Sequence, residues 1–135
     1  MSPEFQIDSS HLLLIGAGPG VGAVAAPVMR GAGSGTILFT GGGFADYPVP
    51  ALASLSLGKA ALRSGATLIA DEVASDGVHA ASITIVGQVA PGTAFDPDNI
   101  AELFWTAHTS GEDTWQTEYR FEGAEAHGAP DAGAA

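Results

Sequence analysis

Cysteine is absent from the 135 residues, which excludes disulfide cross-links and thiolate chemistry and fits a reducing compartment. Basic residues are nearly as scarce: Lys and Arg total 4 against 15 Asp and Glu, a formal net charge of −11. Such a surface repels phosphate backbones, so nucleic acid is not an expected partner, and a bound phosphate has to rely on local backbone N–H groups. No apolar run approaches the ~18 residues of a membrane span, and the amino terminus lacks the basic segment of a secretory signal. These absences point to a cytoplasmic chain with no membrane contact. His11, His79, His108 and His127 are scattered without i, i+4 pairing, so no metal site is expected. No Gly-x-Ser-x-Gly nucleophile turn occurs; Gly33-Ser34-Gly35 is shorter and precedes a strand.

What the chain does contain is apolar and small. Hydrophobic residues make up 46% of it, with 19 glycines, a composition that sustains one core with close backbone packing and many turns. Residues 1–10, MSPEFQIDSS, read as a disordered leader and 124–135 as a low-complexity, disordered tail. The folded domain is expected over 11–123.

Within it, strands and helices alternate. His11–Gly16 is a short apolar run of buried-strand length, followed by GAGPGVG. VGAVAAPVMR has the character of a short helix that Pro27 limits or kinks. Gly35–Thr40 predicts a second strand running into the glycines 41–43. A helix is expected from Ala51 to about Ser75, with Pro50 at its start, Asp76-Gly77 as its stop, and Leu52, Leu55, Leu62 and Leu68 as its buried face. Val78–Gly87 predicts a third strand. Asp96 caps a further helix with Pro97 in its first turn, and Ile100, Leu103, Phe104 and Ala107 follow at helical spacing. Thr117–Phe121 completes the series as a short strand. Asp71-Glu72 reads as a solvated helix face. This order implies right-handed parallel crossovers and a reduced Rossmann-like α/β three-layer sandwich, with a small, mainly parallel sheet of three or four strands.

Ligands of such sheets bind at the carboxyl ends of the strands. GAGPGVG stands there: Gly16 permits a tight turn, Gly20 lets the backbone approach a phosphate and Gly22 allows close helix packing, with the helix amino terminus attracting negative charge.

Together GAGPGVG after HLLLI, GSGTILFTGGG, SLSLGKAALR, GVHAASITIVGQVAPGTAFDPDNIAELFW and WQTEYRFEG resemble the short-chain dehydrogenase/reductase family over most of residues 11–123. The resemblance implies NAD or NADP as cofactor, with Gly16, Gly18, Gly20, Val21, Gly22, Gly41, Gly42, Lys59 and Gly87 as cofactor-binding positions. It assigns Lys59 to the lysine of the family's catalytic Tyr-x-x-x-Lys pair. The tyrosine position is then Leu55, and the catalytic serine position is Gly42, with Thr40 the nearest hydroxyl and Tyr47 the nearest phenol. Apart from the family, Lys59 has a plainer role open to it, with its stem packed on the helix and its ammonium in solvent or on Asp71.

VGAVAAPVMRGAGSG bridges the first strand directly to GTILFT, where the family has three further strands, and no acidic residue follows the glycine loop at the spacing of a ribose reader. The adenine half of the cleft is therefore expected to be missing and cofactor binding weak or lost. The resemblance then implies an impaired NAD(P)-binding oxidoreductase relative that keeps some nucleotide or phosphate binding at the glycine loop. Two alternatives stand beside it: an interaction subunit that pairs with itself or a full-length relative through its long helix, and a working oxidoreductase with an unrecognised acid. Homo-oligomerisation is expected, because a reduced sheet leaves edges to cover.

Overall fold

The structure is a computed structural model and describes residues 13–15 and 19–124. The leader 1–10, nearly all of the tail 124–135, His11, Gly16, Gly18 and His127 lie outside the described residues. Each expected element is present within them: β1 (Leu13–Ile15), α1 (Pro19–Ala32), β2 (Gly35–Gly42), α2 (Ala53–Val73), β3 (Val78–Ile85), α3 (Pro97–Thr109) and β4 (Glu118–Phe121). The four strands pair in parallel in the order β1-β2-β3-β4. No helix among the described residues is long and apolar enough to cross a membrane.

Alternation along the strands builds two apolar layers. Ile37, Phe39, Val78 and Ala80 meet Met29 of α1 and Ala66, Ala70 and Val73 of α2 on one face. Leu38, Ala81 and Ile83 meet Ala107 of α3 on the other, beside Tyr119 of β4, with Leu103 and Phe104 packed at the margin. The result is a reduced Rossmann-like sandwich with α1 and α2 on one side and α3 on the other.

That division corrects the expectation that every crossover is right-handed. The strands advance in one direction across the sheet, yet the third helix lies on the opposite face from the first two. The β3–α3–β4 connection therefore has the opposite hand to β1–α1–β2 and β2–α2–β3. The loop that precedes α3 supplies the freedom to change face. It turns on itself through Ala90 N–H to the Phe95 carbonyl (3.1 Å) and Asp96 N–H to the Thr93 carbonyl (3.1 Å).

Two further expectations are corrected. Pro27 lies inside α1 and does not end it; it sits on the exposed side, and the apolar contacts of Met29 and its neighbours on α2 hold the helix through the missing hydrogen bond. On α2 the expected leucine face is largely outward: Leu52, Leu55 and Leu68 are exposed, and only Leu62 packs partly on the core. The buried positions are Ser56, Ala66, Ala70 and Val73, of which the last three meet the sheet, with Leu62 and Ile69 packed at their margin.

The caps follow local chemistry. Asp96 accepts from Asp98 N–H at 2.9 Å, with Pro97 in the first turn. After α2 a 3₁₀ turn over Ala74–Asp76 ends at Gly77 with φ +77°, beside the Gly33 carbonyl, where any Cβ would collide. The α3–β4 connection is pinned by His79 at the start of β3. Its Nε2 meets the Gln116 carbonyl at 3.1 Å, so that nitrogen carries the proton, and its ring stacks on Trp115 with centroids 4.8 Å apart. Burial pushes the His79 pKa down.

Candidate functional site

Above the carboxyl ends of β2 and β3 lies a cavity of about 670 Å³, whose wall includes Gly41, Gly42, Leu55, Lys59 and Gly87. The fold brings together here the residues that the sequence placed at a catalytic centre. Lys59 and Leu55 come from adjacent turns of α2, so both face the cavity. The glycines come from the strand ends. Gly41 and Gly42, which follow the strand as expected to Thr40, belong to it: Gly41 pairs with Thr84 and Gly42 with Ile85.

Lys59 does not run out to Asp71. Its Nζ donates to the Thr40 carbonyl at 3.2 Å, and its stem lies over Gly42, where an added methyl would stand 3.5 Å from Cε. Gly42 thus carries the lysine on bare backbone, and a side chain there would be in ordinary contact. Gly41 is tighter: a Cβ would come within 3.2 Å of Thr84 Oγ1 and 3.3 Å of the Ile83 carbonyl. Gly87 has another reason to be glycine. The Phe95 ring occupies the place of its side chain, 2.3 Å from a would-be Cβ, and Phe95 is itself held edge-on against Phe121 at 5.7 Å.

The glycine-loop positions belong to a different element. Gly20, Val21 and Gly22 lie in the first turns of α1, which begins at Pro19, whereas the wall around Lys59 is drawn from β2, α2 and the segments that follow β2 and β3. In the doubly wound order 3-2-1-4-5-6 a dinucleotide sits where the strand order reverses. The order β1-β2-β3-β4 contains no reversal among the described strands, and β1 lies directly beside β2 as the edge of the described sheet.

An ion network braces the site from below and was not foreseen. Asp46, just after the short turn Gly43–Ala45, accepts from Arg63 of α2 and, at 2.8 Å, from Arg120 of β4. Arg120 also reaches Glu118 and Glu122, each at 3.4 Å. Hydrogen bonds from Arg63 and then Arg120 hold the Asp46 carboxyl below the usual carboxylate range. Arg63, one turn after Lys59, was the only hint in the sequence; nothing there announced Arg120. Tyr47, Phe44, Val49 and Val89 complete much of the wall, and Tyr47 is the phenol there, largely exposed.

No family model matches the chain, and no curated protein matches it. A solved structure does: a short-chain dehydrogenase from Rhodopseudomonas palustris superposes with a TM-score of 0.65 and 25% sequence identity, over 75% of this chain and 44% of that one. The chain thus spans less than half the length of that protein. The match supports a fold like that of short-chain dehydrogenases.

The two glycines of the cavity should respond differently to a methyl group. Gly42→Ala is expected to shift stability by less than about 1 kcal/mol, and Gly87→Ala to cost about 1–3 kcal/mol through the displaced Phe95 ring. Urea unfolding measures both, and equal midpoints for the two variants would contradict the packing assigned to Gly87.

Proposed function

We propose that this chain is a short-chain dehydrogenase/reductase relative that binds but does not efficiently turn over. The observation that carries the reading is the pairing of Leu55 with Lys59 in one cavity. The lysine of a Tyr-x-x-x-Lys pair is in place over Gly42, while a leucine stands one turn before it and has no proton to give. Lys59 is then a relic of the catalytic pair that has kept its position and lost its partner. The solved short-chain dehydrogenase supports the family half of this reading, and NAD or NADP is the cofactor class it suggests.

Residual nucleotide or phosphate binding would use the backbone at Gly20–Gly22 in the first turns of α1, where N–H groups and the helix dipole favour an anion. It would be weak. The described strands lack the order reversal that forms the adenine side of a dinucleotide crevice, and the net charge of −11 opposes a diphosphate. A working oxidoreductase would need another acid, and Tyr47 and Thr40 share the cavity with Lys59.

A second reading, self-association, is favoured by the outward side of α2. Leu57 and Leu68 are 72% and 70% exposed, and Leu57 borders an apolar hollow of about 460 Å³ with Phe44, Pro48 and Val49. A second copy covering this strip would remove apolar surface from water.

Two measurements test these readings. Calorimetric titration of NAD(H) and NADP(H) is expected to give dissociation constants of about 100 µM or weaker, since losing two or three buried hydrogen bonds costs several kcal/mol. A micromolar constant, or a turnover that disappears in Tyr47→Phe, would overturn the impaired reading. Sedimentation is expected to show a dimer or larger species at micromolar concentration, and a well-folded monomer there would rule out self-association.

A further inference from the structure

The chain has four basic residues, and three of them have carboxylate partners. Arg30 pairs with Asp76 at 2.6 Å and Glu72 at 3.3 Å. Arg63 pairs with Asp46 and, at 3.8 Å, with Glu118. Arg120 pairs with Asp46, Glu118 and Glu122. Lys59 is the exception: among the described residues no carboxylate oxygen lies within 4.0 Å of its ammonium, although acids outnumber bases 15 to 4. In so acidic a chain, a half-buried cation without an acid is a departure from the pattern of every other base.

Its surroundings sharpen the point. Lys59 is the one charged residue in the described wall of the 670 Å³ cavity, and the wall around it is mostly apolar, with Leu55, Ile85, Val86, Val89 and Phe44. Of the three ammonium donors, one is used on the Thr40 carbonyl. The remaining donors make no hydrogen bond, and the charge no ion pair, with the described residues of that wall. A cavity of this size, apolar with a single placed charge, has the character of a small-molecule site.

We infer that the Lys59 cavity binds an amphipathic monocarboxylate, its carboxylate on the ammonium of Lys59 and its apolar body against Leu55, Ile85, Val86 and Val89. One cation matches one negative charge. A dianionic phosphate would bring a second charge that nothing in the described wall neutralises, into a chain already at −11. The carboxylate would replace the missing acid partner with a charge-assisted hydrogen bond, in a setting where apolar walls strengthen it. Such binding requires neither a dinucleotide nor turnover, and so goes beyond the impaired-reductase reading.

The test is calorimetry on the intact chain without dinucleotide, with octanoate, 1-octanol and octyl phosphate as probes, the last held above its second ionisation. Octanoate is expected to bind at least about tenfold tighter than 1-octanol, the factor that one charge-assisted hydrogen bond supplies, and tighter than octyl phosphate. In Lys59→Met, which keeps the apolar stem over Gly42, the preference for octanoate over octanol is expected to vanish while octanol binding persists. The carbon resonance of the Lys59 ε-methylene in the wild-type chain gives an independent readout, expected to shift with octanoate and not with octanol. Octanol binding as tightly as octanoate, octyl phosphate binding tighter, no detectable octanoate binding at millimolar concentration, or an ε-methylene signal indifferent to octanoate would each overturn the proposal. None of these outcomes depends on whether NAD(H) binds, so this inference and the impaired-reductase reading fail separately.

Discussion

The closeness of α2 to the sheet is the constraint on which the rest depends. Ala66, Ala70 and Val73 of the helix are buried against Ile37, Phe39, Val78 and Ala80, and the alanines among them let the helix backbone approach the strands. With the helix seated there, the Lys59 stem is laid along Gly42 and its ammonium reaches the backbone of β2. Larger residues along the seam would lift the helix, and with it the lysine, off the strand ends. Leu55, Leu57 and Leu68 of α2 point away from the core, leaving apolar surface on the helix. The Asp46–Arg63–Arg120 network then ties the helix to the turn after β2 and to β4, fixing rotation about the seam.

Charge and topology act on function from this base. Among the described strands the order has no reversal of the kind at which a dinucleotide crevice forms, while a cavity lies at the strand ends beside Lys59. What the described residues offer is therefore a single cavity at the strand ends, with Lys59 and Leu55 in its wall. The Lys59 ammonium is the one charge in the described wall of this mostly apolar cavity, where a cation supplies both charge and hydrogen-bond donors.

The elements were legible because their signals are local. Asp96-Pro97 and Asp76-Gly77 mark a helix start and a helix stop by backbone chemistry, and the apolar runs of β2 and β3 are long enough to be strands. What was not legible depended on distance between elements. The leucines expected on the buried face of α2 do not share one face, since Leu55 and Leu68 stand roughly 140° apart around the helix, and the arc that meets the sheet carries Ala66, Ala70 and Val73 instead. Gly41 and Gly42 read as punctuation, yet pairing with Thr84 and Ile85 draws them into the strand. Gly87 read as a cofactor contact, while the Phe95 ring, eight residues on, explains why no side chain fits. The juxtaposition of Lys59 with Leu55 and Gly42 was readable only through the family resemblance; the absence of any described acid beside Lys59 became visible only once all four bases were seen in place.

The candidate site stands or falls with the position of Lys59, and because this is the only lysine in the chain its resonances can be assigned without ambiguity. A carbon-edited nuclear Overhauser experiment on the unliganded protein measures the proximity of its ε-methylene to the α-protons of Gly42. The structure, with Cε 3.5 Å from the place of a Cβ at that glycine, predicts a clear cross-peak together with restricted side-chain relaxation. No cross-peak, with an ε-methylene that relaxes like that of a freely rotating surface lysine, would contradict both the seating of the lysine on β2 and the cavity built around it.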